Sequence, residues 1–325
     1  DIIALTTTQF NLIPENSQVP PTSFGNRIIN NNKDYAQWGT SATITAGTGV
    51  PTISTGYPTV DMFFAYCTGA NVTAAQVNGA NAQSKRTQYT GAASVTAIGE
   101  GYRIEALNSY DLAGKTCVFT VELANSLLTT VTWTANYATS KDAFGTIGTA
   151  TKTQIATGTF TVTSTVSTYS TQIAVSSSAI TGIEIILTVG AQTSGTWTVG
   201  SWDFRFGTVP PVNFDHRMND LDLIQRYYQV RANNMFLIDM AVSATTTWAA
   251  SCPLIKPMRV VPVVVTTAPG GTTGQARYDG VAAANWTVTP HIDNFEGFFN
   301  ATAAGLVAQN AVSTDLTYTA AAMIP

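Results

Sequence analysis

The sequence predicts an all-β protein, and three features of its composition and patterning support that prediction. Charged side chains make up only 10 % of the 325 residues, whereas a typical soluble domain has about 25 %. Roughly one residue in six is threonine, whose branched side chain suits a pleated strand, and 25 glycines supply turns. Apolar and hydroxyl-bearing residues alternate in short runs along the chain. This period of two is typical of half-buried antiparallel strands.

The chain divides into four segments by its patterning. Residues 1–24 carry three prolines and no sustained periodicity, which predicts an extended N-terminal arm. Residues 25–208 contain the densest alternation and are predicted to form a β-sandwich. Residues 209–231 are predicted to be a linker with a helix. Strand-like runs return in residues 232–325, which predicts a smaller C-terminal β-domain.

The alternation also predicts which residues face the core of the sandwich. In the run 116–123, residues Cys117, Phe119 and Val121 share one face. Similar faces are predicted in residues 131–137, 159–163, 169–175 and 197–206. On the opposite faces, threonine hydroxyls bind water, so these faces are solvated without charged side chains. Because few lysines guard the strand edges, we expect those edges to be covered by other copies of the chain.

One helix is predicted, over residues 216–230. Asp215 or Asn219 can cap it, and Leu221, Ile224 and Tyr228 recur at the spacing of one helical face. Two interpretations remain open for this face. The helix either packs between the two β-domains, or it meets its symmetry mates along a common axis in an oligomer.

Charge and hydropathy exclude two classes of partner. The net charge is −4, and the few basic residues are scattered, so no basic stripe exists to bind nucleic acid or an anionic membrane. The longest apolar runs fall far short of the ~20 residues that span a bilayer, so no membrane insertion is expected. Three cysteines, Cys67, Cys117 and Cys252, are widely spaced without a CxxC motif. They are predicted to be small buried apolar residues, with at most one disulfide.

The sequence contains few residues in arrangements that are typical of catalytic or metal sites. Two histidines exclude a three-histidine metal site, and neither an HExxH helix nor a GxSxG turn is present. Glu100 and Glu105 would form a glycosidase pair only if both lay on one face at the required separation. We therefore expect no enzymatic activity, no metal and no cofactor.

A cluster of aromatic and polar residues near the C-terminus is the candidate ligand site. Rings that stack on sugar faces, together with side chains that bond sugar hydroxyls, are what a neutral glycan site requires. The candidate glycan contacts are Tyr278, Asp279, Trp286, Asp293 and Asn294. Of these, Tyr278 and Asp279 are predicted to be the more exposed. The alternative is that the aromatic residues here, which include Phe295, Phe298 and Phe299, fill the domain core.

Several motifs resemble those of tailed-bacteriophage fibre and virion appendage proteins. Phe214–Arg217 followed by Leu221–Gln229 resembles the junction of that family, in which a Phe-Glu-x-Arg motif leads into a helix ending Gln-Arg-Tyr-Tyr. Further matches to the family pattern lie at residues 26–30, 36–41, 57–63, 102–105, 109–115, 207–210, 256–262 and 318–320. Trp38 and Phe63 depart from it, and the helix after Arg217 is shorter than usual.

The resemblance implies a jelly-roll domain like that of carbohydrate-binding modules, a linking helix and a C-terminal β-domain, often in a trimer on a virion. It implies no catalytic residues. The expected function is that of a phage tail or head fibre that contributes to attachment to host-surface glycan, with the N-terminal arm bound to other virion proteins. The alternatives are a capsid- or tail-bound decoration protein without a receptor role and, third, a depolymerase.

Overall fold

The computed structural model describes residues 25–47, 59–80, 84–146, 149–215, 219–231, 237–240, 248–267, 275–278, 284–292, 296–302, 311–315 and 317–322. The predicted N-terminal arm, residues 1–24, lies outside these ranges. Nearly all regular secondary structure in the described residues is antiparallel β-strand, as the sequence predicts. No helix within it is long and apolar enough to cross a membrane.

Eleven strands form a two-sheet sandwich. They are β1 (Ser41–Ile44), β2 (Phe63–Thr68), β3 (Val72–Asn78), β4 (Lys85–Thr90), β5 (Ala97–Ile104), β6 (Thr116–Asn125), β7 (Thr130–Ala138), β8 (Lys152–Thr161), β9 (Ser167–Ala174), β10 (Ile183–Val189) and β11 (Thr196–Phe206). One sheet has six strands in the order β1-β3-β4-β11-β6-β9, and the other has five in the order β2-β5-β10-β7-β8. Because the chain passes repeatedly from one sheet to the other, the connectivity is that of a jelly roll.

The core lies between the two sheets and follows the predicted alternation. Cys117, Phe119 and Val121 of β6 are fully buried, as are Ile185 and Leu187 of β10 on the facing sheet. Cys67 and Cys117 are free and buried. Aromatic rings fill the centre, where Trp202 meets Phe63 and Phe119 in edge-to-face contacts with centroid distances of 5.4 and 5.1 Å. Such pairs add to the stabilisation from buried area alone.

Within the described residues, helix is limited to short segments. These are the α-helices α1 (Ala106–Ser109) and α2 (Asp220–Ile224) and two 3₁₀ turns, at Tyr110–Leu112 and Ala179–Thr181. The prediction of a helix over 216–230 is therefore wrong in extent. The chain leaves the helix after Ile224 because Tyr228 and the residues after it pair in a sheet with a strand about ninety residues further along.

In the described part of the chain after the sandwich there are nine further strands, all paired antiparallel. They are β12 (Tyr228–Arg231), β13 (Leu237–Met240), β14 (Trp248–Pro253), β15 (Val263–Thr267), β16 (Gln275–Tyr278), β17 (Ala284–Ile292), β18 (Glu296–Thr302), β19 (Ala311–Asp315) and β20 (Thr317–Ala321). They form a three-stranded sheet in the order β12-β20-β15 and a six-stranded sheet in the order β13-β19-β16-β17-β18-β14. The domain boundaries at residues 208 and 231 stay predictions.

The three-stranded sheet is tied to the sandwich by buried residues of the linker. Ile224, Tyr227 and Tyr228 belong to the same apolar core as the sandwich strands. Within the linker region, the Gln229 amide binds the carbonyls of Gln225 and Lys256 and accepts the N–H of Ile255. Two motifs that are far apart in sequence, 225–229 and 256–259, are thereby held together.

Candidate functional site

Two of the predicted glycan contacts lie in neighbouring strands of the six-stranded sheet, and the structure does not describe the other three. Tyr278 ends β16, and Trp286 lies in β17 opposite Ala276. Asp279, Asp293 and Asn294 lie outside the described residues. The C-terminal glycan site therefore stays a prediction.

The predicted oligomer face of the helix is mostly buried within the chain. Ile224 and Tyr228 are both 0 % exposed, whereas Leu221 is half-buried. Tyr228 lies in β12 and not in the helix. These three residues therefore do not form one exposed helical face for symmetry mates, and the interpretation that fits the described chain is packing between β-elements.

The outer face of the five-stranded sheet is a candidate binding surface that the sequence did not predict. On its β2 side, the rings of Phe64 and Tyr66 lie over Gly101 and Gly99 of β5, which leaves no room for a Cβ at either glycine. Phe64 and Tyr66 form a small apolar cluster with Ile186 of β10. The signal in the sequence was a pair of glycines two residues apart in a strand beside a strand with aromatic residues at the same spacing.

A row of polar side chains crosses the same face beside these rings. Glu184 of β10 accepts hydrogen bonds from Arg103 Nε at 2.9 Å and from Asn136 Nδ2 at 3.3 Å, and it forms an ion pair with Lys152. Arg103 also lies over the Phe64 ring, with 5.0 Å from its guanidinium carbon to the ring centroid. Glu184 is fully buried, so its two cationic partners compensate its desolvation.

The β7–β8 side of this face is open and lined by hydroxyl groups. Thr132 and Thr134 of β7 are half-buried, whereas Thr157 and Thr159 of β8 are exposed. The strand register places Thr134 opposite Thr157 and Thr132 opposite Thr159, so the four threonines lie in a continuous strip. The Thr157 hydroxyl is bonded to that of Thr134 at 3.2 Å and donates to the carbonyl of Trp133 at 2.9 Å, so towards a ligand it serves as an acceptor. A hydroxyl both donates and accepts a hydrogen bond, which suits it to sugar hydroxyls. Because Phe64 and Tyr66 are only 2 % and 9 % exposed, contact here would rely on hydroxyls and amides and not on ring stacking.

The two glutamates considered as a glycosidase pair have separate partners. Glu100 lies inside the sandwich, where it forms an ion pair with Lys33 and accepts the Tyr89 hydroxyl at 2.8 Å. Glu105 accepts hydrogen bonds from Arg226 and Tyr227 in the linker. Both glutamates are buried, so neither carboxylate lies open to a substrate in this structure. Within the described residues, no group of three His, Cys, Asp or Glu side chains could hold a metal ion.

Asp61 is a titratable group at the contact between the sandwich and the three-stranded sheet. Its carboxylate accepts hydrogen bonds from the backbone N–H of Gln37 at 3.1 Å and from Gln37 Nε2 at 2.9 Å. The same Gln37 Nε2 donates to the carbonyl of Tyr228 at 3.3 Å. Burial raises the pKa of Asp61 to about 6, although the hydrogen bonds from Gln37 oppose that shift.

The raised pKa of Asp61 predicts a specific pH dependence of stability. Between its unfolded value of 3.8 and its folded value of about 6, the folded state binds more protons than the unfolded state, so stability rises as the pH falls. Relative to Asp61→Asn, the wild-type protein is expected to gain about 1 kcal/mol in free energy of unfolding from pH 7 to pH 5. Urea denaturation of both proteins at the two pH values measures this difference. If the unfolding free energies of the wild type and Asp61→Asn differ by the same amount at pH 7 and at pH 5, Asp61 keeps an ordinary pKa.

No family model and no curated protein matches this chain. Solved structures show limited likeness. A domain of tailspike protein 4 from bacteriophage CBA120 is 13 % identical over 56 % of this chain and 22 % of the tailspike, with a TM-score of 0.33. A putative sugar binding protein from Bacteroides thetaiotaomicron is 11 % identical over 56 % of this chain and all of its own, with a TM-score of 0.37.

The third likeness is to a Clostridium thermocellum family 11 carbohydrate-binding module in complex with a β-1,3-1,4-mixed-linked tetrasaccharide. It is 13 % identical over 53 % of this chain and 99 % of its own, with a TM-score of 0.30. This chain spans about a fifth of the tailspike chain that it resembles. At these identities and TM-scores, none of the three likenesses carries an argument about function.

Proposed function

We propose that this protein is a non-enzymatic structural component of a phage virion, a tail or head fibre that contributes to attachment to host-surface glycan. In this proposal the chain assembles as a homotrimer, and residues 1–24 bind other virion proteins. The motif order along the sequence supports the virion role, and the low charge of the chain supports assembly through weakly repelling surfaces.

The outer face of the five-stranded sheet is the observation that carries the glycan part of the proposal. It presents a strip of threonine hydroxyls on paired strands whose positions are fixed by the sheet, beside a buried row of amide and charged groups that ties these strands together. Polar groups held on a rigid scaffold bind a sugar at a low cost in conformational entropy. We assign the glycan contact to Gln154, Thr157 and Thr159 of β8, which are exposed.

Removing hydroxyls from this strip is expected to weaken glycan binding. The double variant Thr157→Val and Thr159→Val keeps the branched shape that a strand favours but deletes two hydroxyls. Each lost hydrogen bond is worth about 0.5–1.5 kcal/mol, so affinity for a bound glycan is expected to fall about tenfold. The measurement is a glycan array probed with the full chain, followed by titration calorimetry on the best ligand.

Thr168→Val is the control, because Thr168 is an exposed threonine on β9, at the edge of the opposite sheet. Its affinity should equal that of the wild type. If Thr168→Val loses as much glycan affinity as the double variant Thr157→Val and Thr159→Val, the assignment of the glycan contact to this face is wrong. If the wild-type chain binds no glycan and phage adsorption is unchanged by the double variant Thr157→Val and Thr159→Val, the receptor role is wrong and a decoration protein remains. New reducing ends in host polysaccharide would contradict the non-enzymatic role.

A further inference from the structure

A β-bulge in β8 decides which of its side chains reach the outer face of the five-stranded sheet. Ala156 pairs with Ala135 of β7, whereas Gln154 pairs with Asn136, so the register skips Ile155. Because an extra residue reverses the alternation, even-numbered residues before the bulge and odd-numbered residues after it point to the same face of the sheet.

The contacts on either side of the bulge agree with that shared face. Before the bulge, Lys152 forms an ion pair with Glu184, which also accepts a hydrogen bond from Asn136 Nδ2 at 3.3 Å. After the bulge, the Thr157 hydroxyl is bonded to that of Thr134 at 3.2 Å. Asn136 and Thr134 are two residues apart in β7, so their side chains lie on one face. The first half of β8 therefore continues the threonine strip at one end.

This end of the strip carries more positive than negative charge. Arg103 and Lys152 both form ion pairs with the single carboxylate of Glu184, so these three side chains together have one positive charge in excess. The side chains of Arg103 and Lys152 are only 4 % and 11 % exposed, and Glu184 is fully buried. Because burial weakens screening by water and salt, this excess charge attracts a neighbouring anion more strongly than a lysine on the open surface does.

Two side chains at this end can donate hydrogen bonds to a ligand. The Lys152 ammonium has three N–H groups, and within the described residues it bonds Glu184 alone. Gln154 is exposed, and its amide bonds no other residue in the described part of the chain. These two residues lie on one face, about 7 Å apart along the strand. A carboxylate suits such donors because it accepts at both oxygens and forms charge-assisted hydrogen bonds.

We propose that the glycan bound by this face contains an acidic sugar, whose carboxylate binds at Lys152 and Gln154. The inference rests on the glycan contact in the proposed function and adds the class of sugar. The sugar hydroxyls then lie over the threonine strip, where the Thr157 hydroxyl accepts a hydrogen bond because it donates its own proton to the carbonyl of Trp133. A neutral sugar at the same place would displace water from the excess positive charge without compensating that charge.

The test compares acidic and neutral forms of the same glycan in binding to the full chain. The probes are bacterial capsular oligosaccharides that contain glucuronic or galacturonic acid, each beside the form in which its carboxyl groups are reduced to alcohols. A glycan array selects the best-bound pair, and titration calorimetry measures both of its members. The acidic form is expected to bind at least about tenfold more tightly, because charge-assisted hydrogen bonds are the stronger kind. Its affinity should fall as the salt concentration rises, whereas that of the reduced form should stay constant.

The variant Lys152→Gln removes the charge from this end of the face. Its affinity for the acidic form should fall to that for the reduced form, whereas Lys152→Arg should keep the preference. Glu184 keeps Arg103 as a partner in both variants, and thermal unfolding verifies folding. Lys85→Gln is the control, because Lys85 lies on β4 in the opposite sheet. It removes the same charge and should bind both forms as the wild type does.

Equal or tighter binding of the reduced forms would overturn this inference and leave the receptor role intact, because the threonine strip alone would then explain the contact. A folded Lys152→Gln variant that keeps the wild-type preference would also overturn it. The comparison of the two forms on the wild-type chain requires no variant, so it decides the matter even where Lys152→Gln fails to fold. If the wild-type chain binds no glycan of either kind, the receptor role fails and this inference fails with it.

Discussion

Replacing Lys33 with methionine is expected to lower the free energy of unfolding by about 3–5 kcal/mol, because it leaves the carboxylate of Glu100 buried without its cation. Lys33 and Glu100 are both 0 % exposed and form an ion pair inside the sandwich. Lys33 Nζ also donates to Thr87 Oγ1 at 3.0 Å and lies 4.5 Å from the centroid of the Phe63 ring. Methionine preserves most of the side-chain length, so the effect reports the lost charge more than lost packing.

The control for this prediction is Lys256→Met. Lys256 forms an ion pair with Asp222 at 3.2 Å, and the two side chains are 44 % and 60 % exposed. Exposed pairs contribute little, so this variant should differ from the wild type by less than about 1 kcal/mol. Urea denaturation at pH 7 measures both variants. Similar small losses in the two proteins would show that the Lys33–Glu100 pair contributes no more than a surface pair.

A double variant separates the cost of an unpaired carboxylate from the value of the pair. Adding Glu100→Met to Lys33→Met removes the orphaned charge, although the Tyr89 hydroxyl then loses its acceptor. The double variant is expected to recover part of the stability that the single variant loses. If it is less stable than Lys33→Met alone, packing around Glu100 and not its charge sets the cost.

The inward faces of the sandwich strands could be predicted from the sequence because side chains alternate with a period of two wherever one face is buried. The predicted residues Val131 and Trp133 of β7 and Ile173 of β9 are buried, as expected. In β11, local alternation predicts only part of the set of side chains that face the core. Trp197 and Trp202 are both fully buried although one position is odd and the other even, because the register shifts between Val199 and Trp202. A β-bulge of this kind restores the inward direction after an odd step.

The helix prediction failed for the opposite reason, since a local pattern was outweighed by pairing at long range. Leu221, Ile224 and Tyr228 have helical spacing, but Tyr228 pairs with Ala321 of β20. Burial of Tyr227 and Tyr228 against the sandwich core stabilises this extended backbone. A pairing strand that lies about ninety residues away cannot be recognised from the local sequence pattern around Tyr228.

The candidate binding face could not be predicted for a related reason. Its polar row takes Arg103 from β5, Asn136 from β7, Lys152 from β8 and Glu184 from β10. Each of these residues is an ordinary polar position within its own strand. Only the order and register of the strands bring them together, and a shift of one residue in any strand would move its side chain to the other face.

Replacing Glu105 with glutamine is expected to lower the free energy of unfolding by about 2–3 kcal/mol and to loosen the attachment of β12. Glu105 follows the last residue of β5 and is only 5 % exposed. It accepts hydrogen bonds from Arg226 Nη2 at 2.9 Å and from the Tyr227 hydroxyl at 2.8 Å. Glutamine keeps the shape and one acceptor oxygen, but it removes the charge that pairs with Arg226.

Glu122→Gln is the control, because Glu122 forms a comparable pair with Arg86 within one sheet, at 3.2 Å and with a side chain that is 20 % exposed. Hydrogen exchange locates the effect, since the amides of β12 should exchange faster in Glu105→Gln and at the wild-type rate in Glu122→Gln. Slower or unchanged exchange of β12 in Glu105→Gln would mean that buried packing of Ile224, Tyr227 and Tyr228 holds the C-terminal sheet without this ion pair.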